Sequence, residues 1–187
     1  MSNSPFGRTR KTVLRSDSFL RHAMKAHGAS VLRLAIAQTG SRADAEDIYQ
    51  DVFVSLACDA TSFSGDDHLR AWLLRVTLNR CHDLARSWWR RRTTSMDALE
   101  LNPEDRDRPP SIIGDEVAIK ALWDAVRQLP PKLRAPVHLF YCEELSCEEI
   151  AHVLGIKPSS VRSRLQRARA RLKDILGGEE YGEFEWA

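Results

Sequence analysis

No stretch of this chain approaches the roughly 20 consecutive apolar residues that a bilayer span needs. The opening MSNSPFGRTRKT also lacks the hydrophobic segment of a secretory signal. Together these absences predict a cytoplasmic protein without direct membrane insertion. Cysteine is scarce: Cys58, Cys81, Cys142 and Cys147 are widely spaced and form no CxxC pair. In a reducing compartment that pattern predicts buried small residues rather than disulfides. No period-2 run of β-branched residues exists, so no strand is expected. Nor is there a large charge imbalance, the formal net charge being +2, and the average says little about partners. Apolar residues are in supply, at 43% of 187 residues, enough for the core of one ordinary domain or two small ones.

The charges are unevenly spread. Basic residues concentrate in Arg86 to Arg92 and again in Arg162 to Lys173, while Asp97 to Asp107 and Glu179 to Glu185 lean acidic. Two separate basic surfaces predict two points of contact with a polyanion.

Helical periodicity runs through most of the chain. From Phe19 to Ala37 the apolar spacing predicts one or two helices, with Gly28 a point of interruption. Ser41-Arg42-Ala43-Asp44 has capping-box spacing, so a helix is expected to start there. Its inward stripe is Ile48, Val52, Phe53 (or Tyr49) and Leu56, leaving Asp44, Glu46, Asp47, Gln50 and Asp51 as an acidic-polar outer face. Residues 61–67 read as a loop. Leu69, Trp72, Leu73, Val76, Leu84 and Trp88 then mark a long helix, apolar on one side and carrying Arg70, Arg75, Arg80, Arg86 and Arg90 on the other. One of Trp88 and Trp89 is expected to pack inward, with Arg90, Arg91 and Arg92 near phosphate.

From Thr93 to Gly114 the pattern dissolves into prolines, glycine and mixed charges, the composition of a linker. Beyond it Ile119, Leu122, Trp123, Val126 and Leu129 form a helical stripe that stops at Pro130-Pro131. A further helix carries Val137, Leu139, Phe140 and Tyr141, with Pro136 near its first turn or at a kink. The fold class is therefore all-α: two small helical domains joined by a flexible linker. The expected boundaries are 1–16 for a flexible N-terminus, 17–92, a linker at 93–116, 117–176, and a tail at 177–187.

Ser146-Cys147-Glu148-Glu149 is a second capping-box match, opening a short amphipathic helix that Gly155 ends. Pro158 is well placed to start the next helix, whose inward contacts would be Val161 and Leu165. Helix, glycine-containing turn, helix is a helix-turn-helix pattern. In that geometry Lys157, Ser159, Ser160, Arg162 and Ser163 approach base edges or the adjoining backbone, and Arg164, Arg167 and Arg171 approach phosphates. An arginine-rich face can be merely a solvated one. However, surface helices usually mix both signs, and no acidic residue stands between Pro158 and Leu172.

With these residues in view, the chain resembles the extracytoplasmic-function (ECF, group 4) sigma factors of the sigma-70 family over about residues 17 to 176. The second domain is similar through Leu129-Pro130-Pro131-Lys132-Leu133-Arg134, Leu145-Ser146-Cys147-Glu148-Glu149-Ile150-Ala151 and the run Val161 to Arg169. The first is similar through Asp44 to Phe53 and Ala71 to Arg80. Cys147 departs from the family, which commonly has an aromatic residue or histidine there, and the tail from Glu179 to Trp186 lies outside the general pattern.

The resemblance implies a non-enzymatic factor without cofactor or metal. Its Asp44 to Leu56 helix would dock on bacterial RNA polymerase core through Asp44, Glu46, Asp47, Gln50 and Asp51. The minus-10 promoter element would be engaged and melted by Phe63, Ser64, Trp72, Arg75, Asn79, Arg80 and Arg86. Aromatic and cationic groups suit unstacked bases and backbone, although Trp72 equally fits the apolar stripe. The helix-turn-helix would bind the minus-35 element as duplex. The linker acids Asp97, Glu100, Glu104 and Asp105 would mimic an RNA backbone inside the polymerase, and an anti-sigma factor would be the regulatory partner.

Two other readings stay open at this point. One is a helix-turn-helix regulator acting on an operator without core polymerase. The other is a metal or redox sensor using His138, Cys142, Cys147 and His152. The acidic-aromatic tail would bind a partner, fold back on a basic surface, or stay disordered.

Overall fold

The computed structural model describes residues 14–94 and 116–177. Within them are seven helices and no strand: α1 (Asp17–Thr39), α2 (Arg42–Cys58), α3 (Asp66–Thr94), α4 (Glu116–Gln128), α5 (Pro131–Tyr141), α6 (Cys147–Leu154) and α7 (Pro158–Ile175). The all-α expectation holds for these residues. The remainder of the expected linker and the tail lie outside the described residues, along with Asp97, Glu100, Glu104 and Asp105.

Helix α1 is a single helix, so the expected interruption at Gly28 is corrected. Gly28 is buried, and a Cβ there would sit 2.9 Å from the Tyr49 hydroxyl. The glycine serves close approach of α2 to α1, and tertiary packing outweighs its poor helix propensity of about 1 kcal/mol. The end is set by Gly40, left-handed at φ 74, whose N–H bonds the Ile36 carbonyl.

Ser41 caps α2, its hydroxyl accepting the Asp44 N–H at 3.2 Å. The return arm expected from Asp44 does not form. The Ser41 N–H donates to Thr39 Oγ1 instead, because the one-residue hinge from Gly40 brings Thr39 within reach first. Ile48, Val52, Phe53 and Leu56 are all buried, as the periodicity requires. Around them α1, α2 and α3 close a three-helix core with Val31, Ala35, Leu69 and Leu73. Asp66, in the first turn of α3, ties that helix to α1. Its carboxylate lies 3.0 Å from His27 Nε2, and this hydrogen bond is the main reason its pKa is lowered.

In the second half Pro131 starts α5 from its first position, and Pro136 is accommodated inside that helix, buried among its neighbours. Residues Val126, Leu129, Leu139, Ile150, Val161, Leu165 and Leu172 form the second core. At about 1.5–3 kcal/mol per buried aliphatic side chain, such a set is what holds a domain of four short helices.

The two halves are not merely joined; they are docked. Leu34 of α1 and Leu74 and Leu78 of α3 belong to the same buried cluster as the second core. Helix α5 packs on α1, and α6 on α3. Arg134 supports the junction from α5. Its guanidinium donates to the Ala37 and Gln38 carbonyls at the end of α1, and to the Arg127 and Leu129 carbonyls at the end of α4. One cation thus satisfies the orphan carbonyls, and the negative dipole ends, of two helices.

Candidate functional site

The helix-turn-helix is built as its residues require. Ser146 and Glu149 form a complete capping box: the Glu149 N–H reaches Ser146 Oγ at 3.2 Å, and the Ser146 N–H reaches Glu149 Oε2 at 2.8 Å. The Ser146 hydrogen bonds lower the Glu149 pKa, keeping the carboxylate ionised at the positive end of α6. Gly155 turns the chain at φ 64, a left-handed position that favours glycine. Pro158 then opens α7, and Val161, Leu165, Ala168 and Leu172 are buried along one side of it.

That burial fixes the other side outward. Lys157, Ser159, Arg162, Ser163, Arg167 and Arg171 are exposed, and Ser160 and Arg164 half-buried. Arg162 is held in an ion pair with Glu148 of α6 at 2.6 Å. Being exposed, the pair contributes little stability, but it stiffens the side chain across the turn. Arg169 sits against the Phe140 and Tyr141 rings, each 5.9 Å from its guanidinium carbon, and donates to the Tyr141 hydroxyl.

The predicted minus-10 residues split into two groups. Phe63 and Ser64 lie in the loop before α3, and Phe63 is packed rather than projecting. Its ring stacks on Phe19 at 6.2 Å and meets the Trp72 and His68 rings edge-on at 5.8 and 5.4 Å. Trp72 is half-buried in this aromatic group, so it belongs to the core and to its margin at once. Arg15 closes the group from the N-terminal side, its guanidinium carbon 4.6 Å from the Phe63 ring centre and 4.8 Å from that of Phe19. It also donates to the Thr61 carbonyl, while its backbone N–H bonds the Ala57 carbonyl.

Asn79, Arg80 and Arg86 are exposed further along α3. Arg80 donates to Ser55 Oγ of α2 at 3.0 Å, and Arg86 pairs with Asp83 one turn back. Arg75 is different: it donates to the Val153 carbonyl at 3.2 Å and to that of His152, at the C-terminal end of α6. The expectation that one of Trp88 and Trp89 is buried is corrected. Both are exposed, at 40% and 71%, because α3 has run past the end of the three-helix core, and Trp88 only lines a shallow hollow with Cys81 and Leu84. The side chains of Arg91 and Arg92 lie outside the described residues.

On α2, Glu46, Asp47, Gln50 and Asp51 are exposed and Asp44 half-buried, which gives the acidic-polar face its predicted orientation. Glu46 is paired with Arg42 at 2.8 Å.

A set of residues that sequence reasoning missed lies where the halves meet. Glu143, in the short connection from α5 to α6, has its side chain 1% exposed. Arg33 of α1 donates to its Oε1 at 3.1 Å, and Arg70 of α3 to its Oε2 at 2.9 Å and its carbonyl at 2.7 Å. His138 Nε2 is 3.7 Å away. Burial alone would raise the Glu143 pKa, but His138, Ser30, Arg70 and Arg33 outweigh it and hold the carboxyl at about 2. The next residue, Glu144, takes a left-handed φ of 54, a strain of about 1–2 kcal/mol that turns the chain into α6. No motif signals Glu143, since a lone acid in a loop has no periodicity.

The metal or redox alternative finds no geometry. His138 is buried beside Trp123, and among the described residues neither ring nitrogen has a hydrogen-bond partner, whereas His152 is exposed. Among the described residues no three His, Cys, Asp or Glu side chains converge. Burial, with the Glu143 charge second, pushes the Cys142 thiol up to about 11, and a protonated thiol is a poor ligand and nucleophile. The four cysteines are free thiols, but only Cys81 is buried, its pKa pushed up to about 12 by that burial. Cys58 is exposed and Cys142 and Cys147 half-buried, so the expectation of burial is corrected for three of the four: each stands at a helix end, Cys58 as the last residue of α2, Cys142 as the C-cap of α5 and Cys147 as the first residue of α6.

Comparison with known proteins follows the same division. Residues 23–92 match the Sigma-70 region 2 family and residues 119–172 the Sigma-70, region 4 family. The ECF RNA polymerase sigma factor SigE of Mycolicibacterium smegmatis is 37% identical over 160 residues, covering 82% of this chain and 60% of that protein's length. SigM of Mycobacterium tuberculosis, also an ECF RNA polymerase sigma factor, is 34% identical over 159 residues, covering 85% of this chain and 75% of the relative. Among solved structures, the sigma factor RpoE of Bartonella quintana, in complex with the anti-sigma factor NepR, shares the fold with a TM-score of 0.68 at 22% identity, over 86% of this chain and 98% of that one. CnrH, in complex with the cytosolic domain of CnrY, does so with 0.63 at 23% identity, over 88% and 91%. With both regions matched in chain order and 34% identity to a relative of which it spans 75%, this chain belongs to the family of ECF RNA polymerase sigma factors.

Proposed function

We propose that this chain is a sigma factor that binds bacterial RNA polymerase core and directs promoter-specific initiation, under the control of an anti-sigma factor. The observation that carries the DNA-binding part is α7. Its exposed face holds Arg162, Arg167 and Arg171 with no acid between Pro158 and Leu172, behind a fully capped α6 and a glycine turn. Such a helix enters the major groove N-terminus first. Ser159, Ser160, Arg162 and Ser163 then meet base edges of the minus-35 duplex, and Lys157, Arg164, Arg167 and Arg171 its backbone.

The α2 face of Asp44, Glu46, Asp47, Gln50 and Asp51 is the polymerase-docking surface. The loop and α3 residues Phe63, Ser64, Trp72, Arg75, Asn79, Arg80 and Arg86 engage the melted minus-10 element, with the aromatics offering stacking and the arginines charge. These assignments place the functional units at about 17–92 and 117–176. The chain itself performs no catalysis in this reading and acts in the cytoplasm; no helix among the described residues is long and apolar enough to cross a membrane.

Transcription in vitro with purified bacterial core polymerase and a promoter library is the test. Initiation from a defined promoter subset is the expected result. Failure both to bind core and to initiate from any sequence would overturn the proposal, and operator binding without core would favour an ordinary helix-turn-helix regulator.

A further inference from the structure

Residues 59–65 connect α2 to α3 outside any helix, so their shape depends on what holds them from elsewhere. Two contacts are local: the Thr61 N–H donates to Asp59 Oδ1 at 2.7 Å, and the Ser64 N–H to His68 Nδ1 at 3.3 Å. A longer-range grip comes from Arg15, 46 positions before Thr61 in the chain. Its backbone N–H bonds the Ala57 carbonyl in the last turn of α2 at 3.1 Å, and its guanidinium donates to the Thr61 carbonyl. The guanidinium carbon also lies 4.8 Å from the Phe19 ring centre and 4.6 Å from that of Phe63, spanning two rings that stack on each other at 6.2 Å. One side chain thus joins α1 to both the backbone and the aromatic ring of the connection.

Arg15 Nε is buried and, among the described residues, has no hydrogen-bond partner. Part of the cation is therefore withdrawn from water, as attraction to aromatic rings permits. The ring it holds is only half-buried: Trp72 and His68 meet Phe63 edge-on at 5.8 and 5.4 Å, and the next residue, Ser64, is exposed. A base drawn out of its stack is captured best by aromatic and polar groups already in place, because a wall that must first be ordered returns part of the binding energy as lost entropy. Arg15 precedes the stretch 23–92 that matches the Sigma-70 region 2 family, so membership of that family does not by itself supply this contact.

We infer that Arg15 is a positioning residue for base capture at the α2–α3 connection, holding Thr61 and Phe63 in the arrangement that receives an unstacked promoter base. The inference rests on the assignment of Phe63, Ser64 and Trp72 to the minus-10 element made above. Arg15 acts through Phe63 and the Thr61 backbone. Its loss loosens recognition of the captured base and leaves the contacts to the rest of the strand as they are.

Holoenzyme is reconstituted from bacterial core polymerase and the native chain, Arg15→Gln, Arg15→Lys or Phe63→Ala. The probes are the fluorescein-labelled minus-10 single strand of a promoter recovered from the library and copies of it made abasic at each position in turn. Fluorescence anisotropy gives the preference of each holoenzyme for the intact strand over each abasic one. The native chain is expected to show a preference of about tenfold at one position or more, the worth of a base–aromatic stack, and Phe63→Ala to lose it. Arg15→Gln is expected to cut the same preference about threefold or more while affinity for the abasic strand stays within about twofold, a coupling that a general loss of folding or strand binding does not produce. Arg15→Lys, which keeps a cation beside the rings without the planar fork, falls between the native chain and Arg15→Gln, and serves as the readout if Arg15→Gln does not fold. A native preference in the folded Arg15 variants, or an equal loss on intact and abasic strands, overturns the role of Arg15 alone. A native chain with no preference at any position, a preference that Phe63→Ala leaves intact, or a library that yields no promoter overturns the minus-10 assignment, and the role of Arg15 falls with it.

Discussion

Helices α3 and α7 are both basic and both amphipathic, yet their arginines have different fates. On α7 the buried stripe of Val161, Leu165, Ala168 and Leu172 leaves Arg167 and Arg171 exposed, while Arg162 and Arg169 meet partners of their own domain, Glu148 and the Phe140 and Tyr141 rings. On α3, by contrast, Arg70 is taken up by Glu143 and Arg75 by the carbonyl end of α6, both in the other half of the chain. The difference is one of neighbours. Helix α7 packs on α4, α5 and α6 of its own domain, whereas α3 packs on α1 and α2 and also on α6. Periodicity tells which side of a helix avoids water, but a polar side is free only if no second surface offers it better acceptors than water does.

The comparison breaks most readily at Leu74. This residue is 1% exposed and sits in the second core although it belongs to α3. Leu74→Ala is expected to cost about 2–5 kcal/mol, as much as Leu165→Ala within the second domain itself. Urea denaturation of both variants checks this; a loss at Leu74 far below that at Leu165 would show that the halves are not one packed unit.

Acid should separate the two helices next. The Glu143 pKa is about 2 in the folded protein against an ordinary 4.5. A depressed carboxyl stabilises above its unfolded value, and the contribution is lost as pH falls from about 4.5 toward 2. Thermal melts across that window should show a steeper decline for the native chain than for Glu143→Gln. Equal slopes would mean that Arg70 of α3 and Arg33 of α1 do not hold Glu143 ionised.

On the α7 side, Arg162→Ala or Arg164→Ala is expected to weaken promoter duplex binding by about 1–3 kcal/mol while sparing association with core polymerase. Asp47→Ala with Gln50→Ala should do the reverse. Equal loss of both activities in each variant, with folding intact, would erase the division of labour. Smallest is the cap: Ser146→Ala should cost about 1 kcal/mol of stability, measured by denaturation, without moving the α3 residues' affinity for single strand.

Much of this was legible in the residues. The stripes of α2 and α7 have the 3.6 period, and Ser146 with Glu149 announced the start of α6 by local chemistry alone. The role of Gly28 is not legible along the chain, because a glycine that breaks a helix and one that admits a neighbouring tyrosine look alike there. The exposure of Trp88 and Trp89 is equally illegible, because periodicity continues along α3 after the partners that would bury it have ended. The Ser41 box lost its return arm to Thr39, a competitor brought near by the turn at Gly40.

By itself the sequence determined the all-α class, the division into two helical units, and the outward face of the helix-turn-helix, because each follows from spacing and caps within a few turns. Tertiary structure alone decided that the units dock, that Arg33, Arg70 and Arg75 turn toward acceptors and that Glu143 is buried among charges. Those contacts join residues about 70 to 110 positions apart. Their worth depends on desolvation and geometry at the meeting surface, which no local pattern encodes.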